Sequence, residues 1–397
     1  MKNQVLIAGG GMAGLAAGLA CLRAGWQARL HERTEAFREV GAGIQLGPNA
    51  SRILIGWGLE EPLRQVAAQP RMLHVRDATS GAEVGTLALG DAFARRYGAP
   101  YLTVHRSDLQ ALLAQGAQRA GTEVHLGSRI GTVLPGTEEV RVEVGDRHDR
   151  GDVLVGADGV WSEVRDQVCH DGPPRATGHV AYRTLAVQRD LPAALRSDDV
   201  TAWLGPRLHV VAYPVRAGEL LNVVAVVQGS ALGAAQDWDQ AAAVAELMAA
   251  MGPLVRPLQD LVAAMPGWRL WALHDRPPLR SARQMASGRI ALVGDAAHPM
   301  RPYLAQGAGM AIEDAAELGR VLAQVKNQPD GVTAALRSYA EQRWQRCAQV
   351  QARAERNGRI FHATGPVRWG RDLSLRLLGP RLLDQPWLYG REPSAPH

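Results

Sequence analysis

Three carboxylates stand at or just beyond the ends of short apolar runs, where each can accept hydrogen bonds from a ligand's hydroxyl groups: Glu32, Asp158 and Asp295. Glycine loops accompany them in a fixed order, Gly9-Gly10-Gly11-Met12-Ala13-Gly14, Gly156-Ala157-Asp158-Gly159 and Gly294-Asp295-Ala296-Ala297-His298-Pro299. A glycine loop between a strand and a helix lets a pyrophosphate approach the helix N-terminus, where unsatisfied N–H groups point outward. The chemistry implied is the holding of a phosphate-bearing, hydroxyl-rich ligand. Other chemistries have few candidates. Of 44 Lys plus Arg only Lys2 and Lys326 are lysines, so Schiff-base catalysis has little to work with. Cys21, Cys169 and Cys347 are odd in number and far apart, which argues against a disulfide framework or a thiolate metal site and suits a reducing cytoplasm. No metal ligand set is read from the sequence.

These residues require particular elements. Val5-Leu6-Ile7-Ala8 reads as a buried strand, Gly9, Gly11 and Gly14 as the turn, and Met12 to Arg23 as a helix closed by Gly25. The same uncharged stretch could be taken for a signal peptide or membrane helix, but three adjacent glycines would then sit mid-helix at about 1 kcal/mol each. No other segment has the length and apolarity of a membrane span. A second strand, Gln27-Ala28-Arg29-Leu30-His31-Glu32, ends in an acid about 20 residues past the loop, the place of a ribose-binding carboxylate. Glu32 favours a free 2′-hydroxyl, while Arg33 would tolerate a phosphate. Gly18 allows close helix–sheet packing. The reading is a Rossmann-type dinucleotide unit.

The chain has 397 residues, 46% of them apolar, enough for one large core or two domains. A net charge of +5 raises the question of nucleic acid, but no Lys/Arg-rich run appears and a small anionic ligand is the better expectation. From about His179 to Gly267 helical periodicity is weak. Runs at Val180–Val187, Val200–Leu204, Leu208–Val215 and Leu220–Val227 predict a mostly antiparallel sheet, which the segment Met72–Pro100 is expected to join. Ser107 is expected to cap a helix that buries Leu109, Leu112 and Leu113. After Lys326 the spacing of Leu336, Tyr339, Arg343, Trp344, Cys347 and Val350 predicts a helix with one buried face, and the tail from Glu392 reads as loose.

Taken together, the three motifs resemble those of the group A flavoprotein monooxygenases, the para-hydroxybenzoate hydroxylase superfamily, with 3-hydroxybenzoate 6-hydroxylase-like and salicylate hydroxylase-like members nearest. The resemblance runs from Val5 to about Leu322. It implies an α/β fold: a discontinuous Rossmann-like (GR2-type) FAD-binding domain over 1–71, 101–178 and 268–325, an inserted antiparallel substrate domain over 72–100 and 179–267, and C-terminal helices over 326–397. Implied FAD contacts are Gly9, Gly11, Gly14, Glu32, Arg33, Gly43, Arg106, Asp158, Gly159, Asp295, Gln306, Gly307 and Ala308. Asp295 would bind the ribityl chain, Arg38 to Ile44 would lie beside the isoalloxazine, and the helix opened by Gly307-Ala308-Gly309 would stabilise charge on the reduced flavin. Relatives often read Gly-Gln-Gly-x-Asn where this chain has Ala305-Gln306-Gly307-Ala308-Gly309.

The strand Leu208-His209-Val210-Val211-Ala212-Tyr213-Pro214 is similar to one that carries a histidine and a tyrosine toward an aromatic substrate. By that resemblance His209 would assist deprotonation of a ring hydroxyl and Tyr213 would hydrogen-bond the substrate. Tyr101, Tyr303 and Pro302 would orient it; Pro302 replaces a polar residue of the 3-hydroxybenzoate 6-hydroxylases. Arg207 or Arg216 could receive a carboxylate. The implied activity is NADH- or NADPH-dependent hydroxylation of a phenolic or hydroxybenzoate-like acid by O2 through a C4a-hydroperoxyflavin, with or without decarboxylation, by a cytoplasmic monomer or homodimer. Alternatives are a hydroxypyridine-acid hydroxylase and a noncatalytic FAD-binding redox protein. A flavin halogenase is disfavoured, because Trp268-Arg269-Leu270-Trp271 has the wrong spacing for its Trp-x-Trp motif and lysines are scarce.

Overall fold

In the computed structural model, which describes residues 3–37, 42–229 and 239–390, the chain forms two compact units. The first comprises Met1–Glu39, Leu109–Arg175 and His274–Ala354; the second comprises Val40–Asp108, Ala176–Leu273 and Glu355–His397.

The first unit is built on a six-stranded sheet ordered Ala286–Ser287, Ile290–Leu292, Val153–Gly156, Gln4–Ala8, Gln27–His31, Glu123–His125. All pairs are parallel except the first, at the edge. Its central strands are continuously apolar because helices cover both faces of such a sheet. The expected helix Met12–Arg23 forms at those bounds, with eight residues buried. That burial accounts for the absence of charge from Met12 to Leu22. Among the described residues no helix is long and apolar enough to cross a membrane. Helix Gly307–Gln324 packs so closely on it that a Cβ on Gly319 would lie 2.9 Å from the Ala20 carbonyl oxygen. A three-stranded antiparallel sheet, Ile130–Pro135, Val140–Val144 and Arg147–Gly151, was not expected from the sequence.

An eight-stranded sheet forms the second unit, ordered Gln240–Ala242, Trp268–Asp275, Arg175–Val187, Leu220–Gln228, Leu208–Val215, Val200–Gly205, Met72–Asp77, Glu83–Ala88. The four expected strands are present, and the Met72–Pro100 segment supplies two more. One face carries Leu208, Val210, Ala212, Val223, Ala225 and Val227 against helices Val244–Met251 and Arg256–Ala263. Those two helices add to the mostly antiparallel sheet expected between His179 and Gly267: each is eight residues long and too short to impose a clear period. With a side-chain period of two, His209, Val211 and Tyr213 share the opposite face.

The units are cut differently from the motif-based division. A small sheet of Gly43–Leu46, Leu102–His105 and Ala67–Ala68 belongs with the eight-stranded sheet, tied by Thr103 Oγ1 donating to the Pro214 carbonyl at 2.5 Å and by Gly43 N–H donating to Asn222 Oδ1 at 2.7 Å. After Lys326 the chain is helical as expected: Leu336, Tyr339, Arg343, Cys347 and Val350 are buried on helix Val332–Phe361, with Trp344 half-buried. Arg38–Gly41 and the tail from Glu392 lie outside the described residues.

Candidate active site

In the first unit the glycine loop is tight where chain meets chain and open where a ligand would lie. Gly9 has φ +104°, and a Cβ there would fall 2.5 Å from the Ala157 carbonyl oxygen; one on Gly14 would fall 1.9 Å from that of Gly9. Around Gly11 nothing lies within 4 Å of a Cβ. Gly11 is the N-cap of helix Met12–Arg23 and provides no side-chain cap, so the loop presents a helix N-terminus to open space. That geometry suits an anion. Glu32 is drawn to the loop, Oε2 accepting from Gly10 N–H at 2.6 Å and Oε1 from the Thr34 N–H and hydroxyl, each at 2.9 Å. Arg33 beside it is exposed.

The second and third motifs are joined by an interaction the sequence did not disclose. Asp158 accepts from Ser162 Oγ at 2.5 Å, Glu163 N–H at 2.8 Å and Val164 N–H at 3.1 Å, so it organises the turn into the short helix Val164–Val168. Burial raises its pKa. Gly159, at φ +80°, has open space around it. Arg165, on that short helix, donates to the carbonyls of Ala296 and Ala297 at 3.0 and 2.5 Å and forms a bidentate pair with Asp171. It thereby fixes the third motif to the second.

Behind the third motif lies a buried ionic network. Asp314 Oδ2 accepts from Gly294 N–H at 3.0 Å and binds His298 Nε2 at 2.5 Å, while Oδ1 accepts from Arg343 Nε at 2.9 Å; Arg343 and Arg346 both reach Glu313. Burial works against the Asp314 carboxylate, but the charges of His298 and Arg343 outweigh it and hold Asp314 below the usual range. Burial likewise opposes the His298 imidazolium, yet its surroundings, including Asp314, hold it well above the ordinary value. His298, Asp314 and Cys347 offer ligand atoms within 4.8 Å of one another, but a fixed cation, Arg343, already bonds two of the three residues, Cys347 Sγ at 3.9 Å and Asp314 Oδ1 at 2.9 Å. The cluster is therefore a brace. In front of it Asp295 is exposed, and a Cβ on Gly307, the first residue of helix Gly307–Gln324, would meet its Oδ1 at 4.0 Å. A carboxylate acceptor thus stands beside a positive helix end. Gln306 is buried, Ala308 half-buried, Tyr303 buried and Pro302 exposed, with Ala305 between them at φ +52°.

In the second unit, the sheet face opposite its helices is organised in cross-strand rows. Arg183, Val224 and Val211 form one row; Leu185, Asn222 and Tyr213 form the next; Ala181, Val226 and His209 lie on the other side. Val211, Val224 and Leu185 are only partly buried, which makes an apolar floor. At one end Tyr101 Oη donates to Gln45 Oε1 at 2.5 Å, and Gln45 also hydrogen-bonds Tyr213. Burial raises both phenols above the ordinary tyrosine range. Gly43 is required here: a Cβ would lie 2.4 Å from the Tyr213 ring.

His209 sits elsewhere on this face, four residues or roughly 13 Å along the strand from Tyr213. It is buried, its Nδ1 lies 2.8 Å from His362 Nε2, and Phe361 packs edge-on with ring centroids 5.6 Å apart. Burial, together with His362 and His179, pushes its pKa well below 6.5. The imidazole is neutral at physiological pH. The structure thus brings Tyr101 and Tyr213 together and places His209 at the opposite side of the floor.

One expectation needs correction. Ser107 does not cap the helix, which begins at Arg106; its hydroxyl instead bonds His105 Nδ1 at 2.7 Å. Arg216 already has a carboxylate, pairing with Asp108 through two bonds of 2.8 and 2.9 Å, and Arg207 is exposed in a turn at φ +62°. The buried arginine of this face is Arg183, stacked 4.7 Å over Trp271 and bonded to Asp239 at 3.1 Å. Arg106 is half-buried, its N–H donating to the Ala42 carbonyl at 2.8 Å.

Residues 2–354 match the family model described as FAD binding domain. The 3-hydroxybenzoate 6-hydroxylase of Polaromonas naphthalenivorans (strain CJ2) is 38% identical over 394 residues, covering 97% of this chain and 95% of that one. The 6-hydroxynicotinate 3-monooxygenase of Bordetella bronchiseptica (strain ATCC BAA-588 / NCTC 13252 / RB50) is 36% identical over 358 residues, covering 88% and 90%. Among solved structures, Klebsiella pneumoniae HpxO complexed with FAD and uric acid superposes with a TM-score of 0.84 at 26% identity, covering 96% of this chain and 95% of that one. With a family match over most of the chain and near full-length relatives in agreement, the chain belongs to the FAD-binding-domain family of group A flavin monooxygenases.

Proposed function

We propose that this protein hydroxylates a hydroxybenzoate-like aromatic acid, using NADH or NADPH and O2. The observation that carries the reading is the partly open apolar floor of Val211 and Val224, flanked on one strand by neutral His209 and by Tyr213. A planar ring laid on that floor meets an imidazole on one side and phenols on the other. The similarity to 3-hydroxybenzoate 6-hydroxylase supports an aromatic acid as substrate.

Bound FAD would supply acceptance of hydride from the nicotinamide and activation of O2. The residues fit it: the helix N-terminus at Gly11 and the turn at Gly9 and Gly14 receive the pyrophosphate, Glu32 the adenosine ribose, and Asp295 the ribityl hydroxyls. The N-terminus formed by Gln306, Gly307 and Ala308 would offer its positive end to negative charge on the ring. Arg33, Gly43, Arg106, Asp158 and Gly159 are further contacts or supports of the same cofactor. His209 accepts the proton of the ring hydroxyl, which makes the ring electron-rich; Tyr213 and Tyr101 hold the substrate's polar groups; Tyr303 and Pro302 shape its enclosure. The functional division proposed is 1–71, 101–178 and 268–325 for flavin, 72–100 and 179–267 for substrate, and 326–397 for support. The setting proposed is the cytoplasm, as a monomer or homodimer, in keeping with three free cysteines.

A hydroxypyridine acid is the second reading, favoured by the likeness to 6-hydroxynicotinate 3-monooxygenase. The test is oxidation of NADH and NADPH by the flavin-loaded protein with hydroxybenzoates, salicylate and hydroxypyridine acids, with product masses. Stimulation by a hydroxybenzoate with a product one oxygen heavier is expected. Stimulation only by a hydroxypyridine acid would transfer the proposal to the second reading, and none by any acid would leave a noncatalytic flavoprotein.

A further inference from the structure

The C-terminal helices deliver a histidine to the substrate-side sheet. His362 follows helix Val332–Phe361 directly, and its Nε2 lies 2.8 Å from Nδ1 of His209, 153 residues earlier in the chain. Its position is fastened from two directions. The Arg207 N–H donates to the His362 carbonyl at 3.1 Å, and buried Arg371, on helix Gly365–Leu383, donates to the carbonyls of Phe361 at 2.7 Å and Ile360 at 3.3 Å. Packed this way, the two rings cannot both present a proton to each other or both present a lone pair. One nitrogen donates and the other accepts.

We propose that His362 is a positioning residue for His209, holding it as the Nδ1–H tautomer and receiving that proton when His209 deprotonates the substrate. This rests on the reading of His209 as the base. In that tautomer Nδ1–H donates to His362 Nε2 and the lone pair is at Nε2 of His209. The substrate O–H bond breaks and an N–H bond forms at His209 Nε2; the Nδ1–H bond of His209 breaks and an N–H bond forms at His362 Nε2. The products are a phenolate and a His362 imidazolium, with no electron transferred. A base as deeply buried as His209 holds a proton poorly by itself, and a hydrogen-bonded second imidazole, although itself buried, spreads the charge over two rings. Among the described residues, the ionisable groups placed near this pair are His179, two strands away from His209 on Arg175–Val187, whose ring meets His362 edge-on at 5.0 Å, and Arg207 and Arg371, which bond the backbone carbonyls of His362 and Phe361.

The experiment compares flavin-loaded wild type with His209→Ala, His362→Phe and His362→Gln. Flavin content and melting temperature serve as folding controls, single-turnover hydroxylation with a hydroxybenzoate gives the rate, and histidine 15N NMR reports the tautomer. Glutamine can accept from Nδ1–H but cannot take the proton. The expected results are a His209 Nδ1–H signal in wild type and in His362→Gln, and a hydroxylation rate at neutral pH lowered about 10-fold or more in His362→Phe with substrate affinity unchanged. His362→Gln should recover toward the wild-type rate as rising pH ionises the substrate. A wild-type rate and pH profile in His362→Gln, or an Nε2–H tautomer in wild type, overturns the proposal even if His362→Phe does not fold. A wild-type rate in His209→Ala overturns the underlying reading and the proposal with it; a slow His209→Ala beside an unimpaired His362→Phe overturns the proposal alone.

Discussion

At the third motif, Asp295 and Ala305 are placed in ways that set them apart from their neighbours. Asp295 is exposed although its neighbours Gly294 and Ala296 are buried, and it faces the start of a helix rather than the core. A carboxylate accepting ligand hydroxyls contributes about 1.5–3 kcal/mol. Asp295→Ala should therefore weaken FAD binding by about 10- to 100-fold with melting of the apoprotein unchanged, measured by flavin titration; wild-type affinity would remove Asp295 from the cofactor set. Ala305 carries a different burden. It holds φ +52°, ψ +38° at the end of the turn Pro302–Leu304, a conformation that costs an L-residue about 1–2 kcal/mol. Ala305→Gly relieves that strain and restores the glycine common in relatives, at some cost in unfolded-chain entropy. The expected net gain is about 0.5–1 kcal/mol in a urea midpoint. A loss would mean that the Ala305 methyl makes a compensating contact.

At the scale of elements, the helix Gly307–Gln324 does two tasks with opposite ends of its first three turns. Its N-terminus faces Asp295, while Glu313 and Asp314 brace the glycine turn from behind through Gly294, His298 and Arg343. The brace has a predictable pH dependence. Asp314 is held below its ordinary 3.8, so its stabilisation is present above 3.8 and is lost as pH falls through the depressed folded value. His298 is raised well above its ordinary 6.5, so its stabilisation is complete below 6.5 and is lost as pH rises through the raised folded value. Both contributions are full between those ordinary values. His298→Gln should lose about 1.5–3 kcal/mol near pH 6, because Asp314 loses one charged partner while keeping Arg343, and should show a shallower alkaline decline than wild type in urea midpoints. Parallel curves for the two proteins would show that His298 is neutral in the fold.

That brace also shows what the sequence could disclose. The strand–glycine–helix unit at Val5–Arg23 is legible because turn, strand and helix are local and each residue type has one conformational reason to be there. The motif Gly294–Pro299 is legible as a pattern, but the role of His298 is not, since its partners Asp314 and Cys347 lie 16 and 49 positions away and nothing in their types selects this pairing. Arg165 and His362 escaped for the same reason, their partners being fixed only by tertiary packing. Tyr101 and Tyr213 could be nominated separately, but Gln45, which joins them, gives no signal in an ordinary strand. The helices Val244–Met251 and Arg256–Ala263 were lost to shortness, their apolar residues reading equally well as strand.

For the molecule as a whole the governing quantity is charge. A net charge of +5, almost all of its positive side arginine, gives a field that attracts anions and stays positive up to the pI near 9.4, since guanidinium does not titrate in that range. Much of that charge is bound locally: Arg165 and Arg276 with Asp171, Arg216 with Asp108, Arg343 and Arg346 with Glu313. The excess acts at a distance. Both a nicotinamide dinucleotide and an aromatic carboxylate are anionic, and screening by salt should slow their capture. For a hydroxybenzoate, kcat/KM is expected to fall about two- to fivefold between 10 and 300 mM salt at saturating nicotinamide donor, while that of the corresponding uncharged benzamide stays within a factor of about 1.5. Equal salt dependence for acid and amide would assign the effect to the donor or to the fold. A difference confined to the acid would place attraction of the carboxylate among the determinants of which aromatic compounds this protein accepts.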